Sequence, residues 1–340
     1  MPISSNIFRK RTRSDFLLAL LLTVLCLLAI NIAFGVWSTR TPFSRKLNAI
    51  DSQSGAEVLF LGNSLLDGRI DGDIFKKEAN LIAVNAALGA SDPAEHYLLF
   101  RYSLERDPKI RQVVIGFYDF QLTDSFGSKL SDLVGNRALA LDSRISAPDA
   151  RHIYHFGIAD YLAFRTLRVF PMLAASSVVW QRIELLRREL GGIGMPHQAS
   201  SSWGRATDFK ALEADTLEDF DREANRFGGN AAVLNEPLES IVEEARARKC
   251  QVVFLLMPAS PYHRGTYYLR PSWKEYLLAL KPTMAAEQVD FIDASLWFPL
   301  EDQFEDRLHL KKEQKDVLSK RLADALAGMA EPQPVGTGGS

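Results

Sequence analysis

An open, parallel α/β sheet of about five strands flanked by helices is the fold class the sequence predicts. Three observations lead there. Five short apolar runs have strand length: Glu57–Gly62 (EVLFLG), Leu81–Asn85 (LIAVN), Gln112–Phe117 (QVVIGF), Gln251–Met257 (QVVFLLM) and Val289–Asp293 (VDFID). They are rich in Val, Ile, Leu and Phe and do not alternate cleanly, the pattern of strands buried on both faces. Segments with helical periodicity separate them: Pro93–Glu105, Leu238–Lys249 and Ser272–Glu287, with Leu310–Ala327 closing the folded region.

Ahead of the sheet, residues 1–15 form a basic N-terminus carrying Arg9, Lys10, Arg11 and Arg13. Residues 16–37 follow as 22 uncharged residues from Phe16 to Trp37, interrupted strongly only by Asn31. As a helix this run spans about 33 Å, enough to cross a hydrocarbon layer of about 30 Å. Basic flanks stay inside, which predicts a single-pass anchor with a cytoplasmic N-terminus and the remaining chain outside, periplasmic or at the cell surface. A cleaved signal peptide has a shorter apolar core and a small-residue cleavage site, and FGVWSTR offers no convincing one. Residues 38–56 read as a juxtamembrane linker or a first short helix, and residues 57–328 as the main domain. Inside it, a helical insertion at about 125–232 separates the third and fourth runs. It holds a helical stretch Asp160–Leu190, with Arg182, Arg187 and Arg188, and a loop-like stretch Gly191–Ser202. Long insertions with their own helices commonly act as lids or partner surfaces. Residues 329–340 read as a disordered tail.

The net charge of −2, from 40 basic and 42 acidic side chains, offers no basic surface to a nucleic acid. The two cysteines, Cys26 in the apolar run and Cys250 opening the fourth strand, are not expected to meet, and both read as buried thiols. No Cys/His cluster has metal-ligand spacing, so neither a metal nor a cofactor is expected.

Ligands of an open parallel sheet bind beyond the carboxyl ends of its strands. After the first run comes Gly62-Asn63-Ser64-Leu65-Leu66-Asp67-Gly68, which would put the Ser64 hydroxyl at that edge with backbone amides nearby as oxyanion donors. Such a turn can equally be a helix cap. After the second run comes Gly89, whose bare backbone can approach a ligand and offer its amide, or can simply turn the chain while Ser91 or Asp92 caps the next helix. After the third come Tyr118 and Asp119, which line the edge or close the turn. Near the end, Asp306 precedes His309 by three residues. One turn brings the carboxylate to Nδ1 of the imidazole and leaves Nε2 to face a serine. Ser64, Gly89, Asp306 and His309 together on one edge point to nucleophilic serine chemistry, with Ser64 as nucleophile, His309 as base and Asp306 as its orienting carboxylate. Among the other histidines, His96, His152, His155 and His197 are weaker candidates, and His263 is kept as a substrate-lining residue because it follows the fourth strand.

These motifs resemble those of the SGNH (GDSL-like) hydrolase superfamily. VLFLGNSLLDG is similar to its first block, with Asn63 where Asp is usual, Gly89 matches the second block's glycine, and DRLHL (Asp306–Leu310) matches its Asp-x-x-His block. The third block, usually Gly-x-Asn-Asp, reads Gly116-Phe117-Tyr118-Asp119, so Tyr118 stands where the family has its side-chain oxyanion donor. The resemblance covers about Glu57–Ala327 apart from the insertion. It implies a flavodoxin-like sheet, a catalytic triad of Ser64, His309 and Asp306, and an oxyanion hole of the Ser64 and Gly89 amides; from their places at the strand ends, Asn63, Tyr118, Asp119 and His263 are the candidates to line the substrate. With the anchor and the segment FIDASLWFPLEDQFEDRLHL, the chain looks most similar to envelope proteins of polysaccharide O-acetylation and teichoic-acid D-alanylation. That implies acyl-ester or polysaccharide substrates and a membrane acyltransferase partner. Two expectations stay open: a serine esterase or O-acyltransferase, or a non-catalytic assembly protein that uses the same fold to bind.

Overall fold

The computed structural model describes residues 5–38, 42–89, 91–124, 139–174, 217–223, 225–227 and 230–330. In chain order they form α1 (Ser5–Ser38), α2 (Pro42–Ser52), β1 (Val58–Leu61), α3 (Gly72–Ala79), β2 (Ala83–Asn85), α4 (Pro93–Arg106), β3 (Gln112–Phe117), α5 (Ala147–Ile153), α6 (Ile158–Val169), the single turn α7 (Pro171–Ala174), α8 (Glu236–Ala247), β4 (Gln251–Leu256), α9 (Pro271–Ala286), β5 (Asp290–Asp293) and α10 (Lys315–Ala330). The chain divides into two compact units, one of Met1–Arg45, Lys129–Ser143 and Phe156–Pro196, the other of Lys46–Ser128, Arg144–His155 and His197–Ser340.

The second unit holds the sheet. Its five strands run parallel in the order β2-β1-β3-β4-β5. That is the flavodoxin-like order, and its reversal point lies between β1 and β3. All residues of β1 and β3 are buried, as their uninterrupted apolar sequences require. The edge strand β5 buries only Ile292 and leaves Asp290 and Asp293 exposed. The strand from β1 to β2 steps one way and every later strand steps the other. With right-handed crossovers, α3 therefore lies on one face and α4, α8 and α9 on the opposite face. The observed packing agrees: α3 packs on α10, and α4 packs on α8.

Local sequence explains the helix starts. Asp92 caps α4 by accepting from the Glu95 N–H while Glu95 returns a bond to the Asp92 N–H, a full capping box with Pro93 in the first turn. Asn235 caps α8 in the same manner without the return bond. Phe60 of β1 meets Phe75 of α3 edge-to-face at 5.2 Å, both fully buried, which seats α3 against the strand that precedes the Ser64 turn.

Several expectations shift. The 38–56 linker contains α2, the short-helix alternative. The last helix begins at Lys315 rather than Leu310, because Leu310 is held in an antiparallel bridge to Phe304 and Lys312–Gln314 form a 3-10 turn. The insertion is not one helical block. Its α5 belongs with the sheet: Arg101 of α4 reaches Asp149 at 3.2 Å and Glu244 of α8 at 2.6 Å, tying α5 to both helices. Residues 175–190 of the Asp160–Leu190 helix, including Arg182, Arg187 and Arg188, the Gly191–Ser202 loop, His197 and residues 331–340 of the tail lie outside the described residues.

In the first unit, α1 contains a span Ser14–Ala33 of 20 residues that is long and apolar enough to cross a membrane, and none of it is buried. Both cysteines are free, but Cys26 is exposed on this helix rather than buried, because no other element covers its place on the span, whereas Cys250 is buried in the sheet unit.

Candidate active site

The turn after β1 is built by Asn63. Its Oδ1 accepts the Leu65 N–H at 3.0 Å, and its carbonyl accepts the N–H groups of Leu66 and Asp67 at 3.1 and 3.0 Å. These bonds lift Ser64 to the sheet edge, half-buried, at the reversal point of the strand order. The Asn63 side chain also donates through Nδ2 to Gln121 Oε1 at 3.2 Å, an oxygen that accepts the Tyr118 N–H at 3.2 Å as well. The Tyr118 amide requires an oxygen opposite it, which fixes the Gln121 orientation and makes Asn63 the donor. An ionised Asp at position 63 could accept from Leu65 but could not donate to Gln121. Asn63 is therefore a buried strut between the β1 and β3 turns, which accounts for an amide at this position.

Behind the turn, the Gly62 carbonyl accepts the Leu88 N–H and the Ser91 hydroxyl, both at 2.9 Å. Because the Ser91 hydroxyl donates there, its 2.9 Å contact with His96 Nε2 must be accepted from the imidazole N–H. Ser91 and His96 are buried and hold the Ser64 turn from below. They border a cavity of about 260 Å³ that is also lined by Gln121 and Asp124.

The opposite wall is the turn from Glu305 to His309. Asp306 Oδ1 accepts the N–H groups of Leu308 and His309, each at 2.8 Å, and Oδ2 lies 2.8 Å from His309 Nδ1. The Glu305 N–H donates to the His309 carbonyl at 2.7 Å and the Ser260 N–H to the Arg307 carbonyl at 3.1 Å, so the turn is pinned at both sides. Burial acts to raise the Asp306 carboxyl, but the His309 ring, the two backbone N–H groups and the imidazole charge outweigh it and hold the group well below the usual carboxylate range. An ionised Asp306 only accepts, so Nδ1 carries the proton and Nε2 is the lone-pair nitrogen. Nε2 lies 2.8 Å from Ser64 Oγ. Ser64, His309 and Asp306 thus form one continuous hydrogen-bonded chain across 245 residues of sequence.

Gly89 is brought beside Ser64: a β-carbon there would lie 4.0 Å from Ser64 Cβ. Its amide, however, is engaged. The Gly89 N–H donates to Asp67 Oδ2 at 3.0 Å, and Asp67 Oδ1 accepts Lys46 Nζ at 2.9 Å, with Lys46 also reaching the Asn85 carbonyl at 3.3 Å. A carboxylate oxygen stands where the expected donor needs an open face. The Ser64 N–H has no such partner among the described residues. Removing the Asp67 side chain frees the Gly89 amide. The expected result for Asp67→Ala is a rise in kcat/KM on a small activated ester, up to about tenfold for one released hydrogen bond to a charged group. An initial-rate comparison of the two proteins checks it, and a fall in kcat/KM would mean that Asp67 serves the site as it stands.

Tyr118 and Asp119 lie at the edge, both half-exposed. Burial first, then the Asp119 charge, pushes the Tyr118 phenol up, so it stays protonated and able to donate. Asp119 adopts a left-handed backbone (φ 46°) and its Oδ1 lies 3.0 Å from His263 Nε2. His263 itself is fully buried, stacked on Tyr267 at 4.6 Å and edge-on to Tyr268 at 4.8 Å. It does not line a substrate surface; two tyrosines cover the ring that its place after β4 seemed to expose. The cluster touches the Glu305–His309 turn through Tyr267, whose hydroxyl accepts from Arg307 at 2.9 Å. His152 packs near Tyr97, and His155 pairs with Glu236 at 2.7 Å. Gln121, Asp67 and Lys46 are the site residues that sequence reasoning missed. Among the described residues, no group of three His, Cys, Asp or Glu side chains is placed to hold a metal ion.

No family model and no curated protein sequence matches the chain. Solved structures that match include a GDSL-like lipase from Bacteroides thetaiotaomicron, 11% identical with a TM-score of 0.38, the match covering 85% of this chain and 98% of that one. A lipase/acylhydrolase from Enterococcus faecalis is 13% identical with a TM-score of 0.38, over 82% of this chain and 98% of that one. A carbohydrate acetylesterase from Sinorhizobium meliloti is 13% identical with a TM-score of 0.32, over 82% of this chain and 99% of that one.

Proposed function

We propose that the protein is a serine ester hydrolase or O-acyltransferase, held at a membrane by α1 and acting outside the cytoplasm on acyl esters of a cell-surface polysaccharide. The observation that carries this reading is the 2.8 Å Ser64–His309 contact continued by the 2.8 Å His309–Asp306 contact. In the reaction, His309 Nε2 takes the Ser64 proton as Oγ bonds to the ester carbonyl carbon. Asp306 keeps the ring in the required tautomer and stabilises the imidazolium. The carbonyl electron pair moves onto oxygen, facing the Ser64 N–H and, once Asp67 withdraws, the Gly89 N–H. Collapse breaks the bond to the leaving alkoxide, which takes the proton from His309 and leaves an acyl-Ser64. Water or a sugar hydroxyl, deprotonated by the same imidazole, then attacks the acyl carbon; the bond to Oγ breaks, Ser64 takes its proton back from His309, and the acyl group leaves as an acid or as a new ester. Excluding water would favour the sugar. The apolar span of α1 and the basic residues ahead of it support the anchored, outward-facing placement. A membrane acyltransferase that delivers the acyl group is the partner this placement suits.

A non-catalytic assembly role is the second reading, favoured by the Asp67 carboxylate on the Gly89 amide and by Tyr118 in place of a side-chain donor. Turnover of an acetyl-ester chromogenic substrate by the full-length protein in detergent, with and without an oligosaccharide acceptor, separates the readings. Turnover lost in Ser64→Ala supports catalysis, and acceptor-dependent acetyl-sugar identifies transfer. Equal background from both folded proteins would favour the assembly role.

A further inference from the structure

We propose that α6 and α7 form a second membrane contact, lying against the outer surface of the bilayer that α1 crosses. The inference deepens the anchored reading above and rests on it.

The starting point is Asn31, the one strongly polar residue in the apolar run of α1. It stands in the outer half of the Phe16–Trp37 run, six residues and about 9 Å along the helix axis before its end. Its Nδ2 donates to the Val169 carbonyl at 3.0 Å, and its Oδ1 faces the Met172 N–H at 3.5 Å. Those two groups flank the break between α6 and α7, at Phe170-Pro171, where helix bonding fails. The membrane helix therefore satisfies the open end of α6 and holds it beside the outer half of the run, within the roughly 5–10 Å to which an interfacial helix sinks its apolar face.

At 100° per residue, Ile158, Leu162, Arg165 and Val169 share one face of α6, turned well away from the fully buried Phe164. That face is open: Ile158 is 75%, Leu162 62% and Val169 62% exposed. Phe170 and Leu173 continue the apolar exposure past the break. Arg165, the cation on this face, has a stem long enough to lie along apolar surface while its head reaches a phosphate group. The Thr166 hydroxyl bonds back to the Leu162 carbonyl at 2.9 Å, as the Thr23 hydroxyl does to the Ala19 carbonyl inside the span. Neither needs water, which suits both to lipid. An apolar face with a single snorkelling cation, joined by a hydrogen bond to the outer half of a membrane-crossing helix, fits a lipid surface. A protein partner would have to cover the same face at the same depth.

The test uses the full-length protein with Cys26→Ser and Cys250→Ser, carrying one cysteine at a time for an environment-sensitive fluorophore. Leu162→Cys reports on α6, Ile32→Cys on the span, and Glu313→Cys on the exposed surface of the sheet unit. The proteins are placed in phosphatidylcholine–phosphatidylglycerol nanodiscs with and without brominated acyl chains. The expected result is a blue shift and loss of fluorescence at positions 162 and 32 in the brominated discs, with position 313 unchanged. A quenched position 32 beside an unquenched position 162 overturns the proposal and leaves the anchor standing, whether a protein or water covers the helix. No quenching at either position overturns both.

Discussion

Replacing His309 with Ala is expected to lower kcat on an acetyl ester by about 10⁴-fold or more, with KM little changed, and Asp306→Asn by about 10⁴-fold. His309 acts on the proton only as the new bond forms, so its loss removes stabilisation of the transition state rather than of bound substrate. Asp306→Asn keeps the shape of the turn, since an amide oxygen can still accept the Leu308 and His309 N–H groups. What it loses is the carboxylate that obliges Nδ1 to carry the proton. An Asn that turns its amide N–H toward Nδ1 stabilises the opposite tautomer, which leaves Nε2 protonated and unable to take the Ser64 proton. Because the three residues act as one unit, the Ser64→Ala/His309→Ala double variant should be no slower than either single change. Rates that multiply would show that the residues act separately.

The second large effect is expected at Gly116, in β3 and far from the reacting atoms in sequence. A β-carbon there would stand 2.3 Å from Leu66 Cδ1, 3.0 Å from Leu66 Cγ and 3.2 Å from Met257 Sδ. Leu66 is fully buried two residues after Ser64, and its carbonyl accepts the Asn85 side chain at 2.9 Å. Its side chain has to give way inside a closed core, so Gly116→Ala is expected to press on the turn that carries Ser64. Overpacking of this kind costs about 1–3 kcal/mol of stability. Activity should fall further than stability alone explains, since a misplacement of about 1 Å can cost on the order of 100-fold in rate. Denaturant titration and kcat check the two effects. Adding Leu66→Val should restore part of both, the coupling a double-variant cycle measures. Equal losses with and without Leu66→Val would mean that the clash is relieved elsewhere.

Those two sites differ in how far the chain discloses them. Asp306 and His309 are legible because a three-residue spacing closes the carboxylate–imidazole bond locally, whatever the rest of the fold does. β1, β3 and β4 are legible because burial on both faces demands unbroken apolar runs, and β3 matches its run from Gln112 to Phe117. Alternation of runs and helices leaves more than one strand order open; the family resemblance implied the flavodoxin-like one, and that order places the turns after β1 and β3 side by side. Side-chain direction across the sheet edge has no such local rule. Nothing near Asp67 in sequence says that its carboxylate meets Gly89, 22 residues on, or that Lys46 steadies it. The Asn63–Gln121 strut spans 58 residues, and its clue is chemical: an amide in place of a carboxylate needs something to donate to. His263 shows the reverse. Its position after β4 suggested exposure, and the stacking of Tyr267, four residues later on the same helical stretch, decides its burial. The exposed face of α6 is legible as apolar periodicity, but the Asn31 bond that aligns it with the span reaches across 138 residues.

The central claim, that Ser64 is a nucleophile activated by His309, is tested most directly by reaction with a fluorophosphonate. The full-length protein in detergent is labelled and the adduct is located by mass spectrometry, alongside Ser64→Ala and His309→Ala. The account predicts a single adduct on Ser64, none on Ser64→Ala and a labelling rate that collapses in His309→Ala. A folded protein that remains unlabelled, or one labelled equally without Ser64, would contradict it.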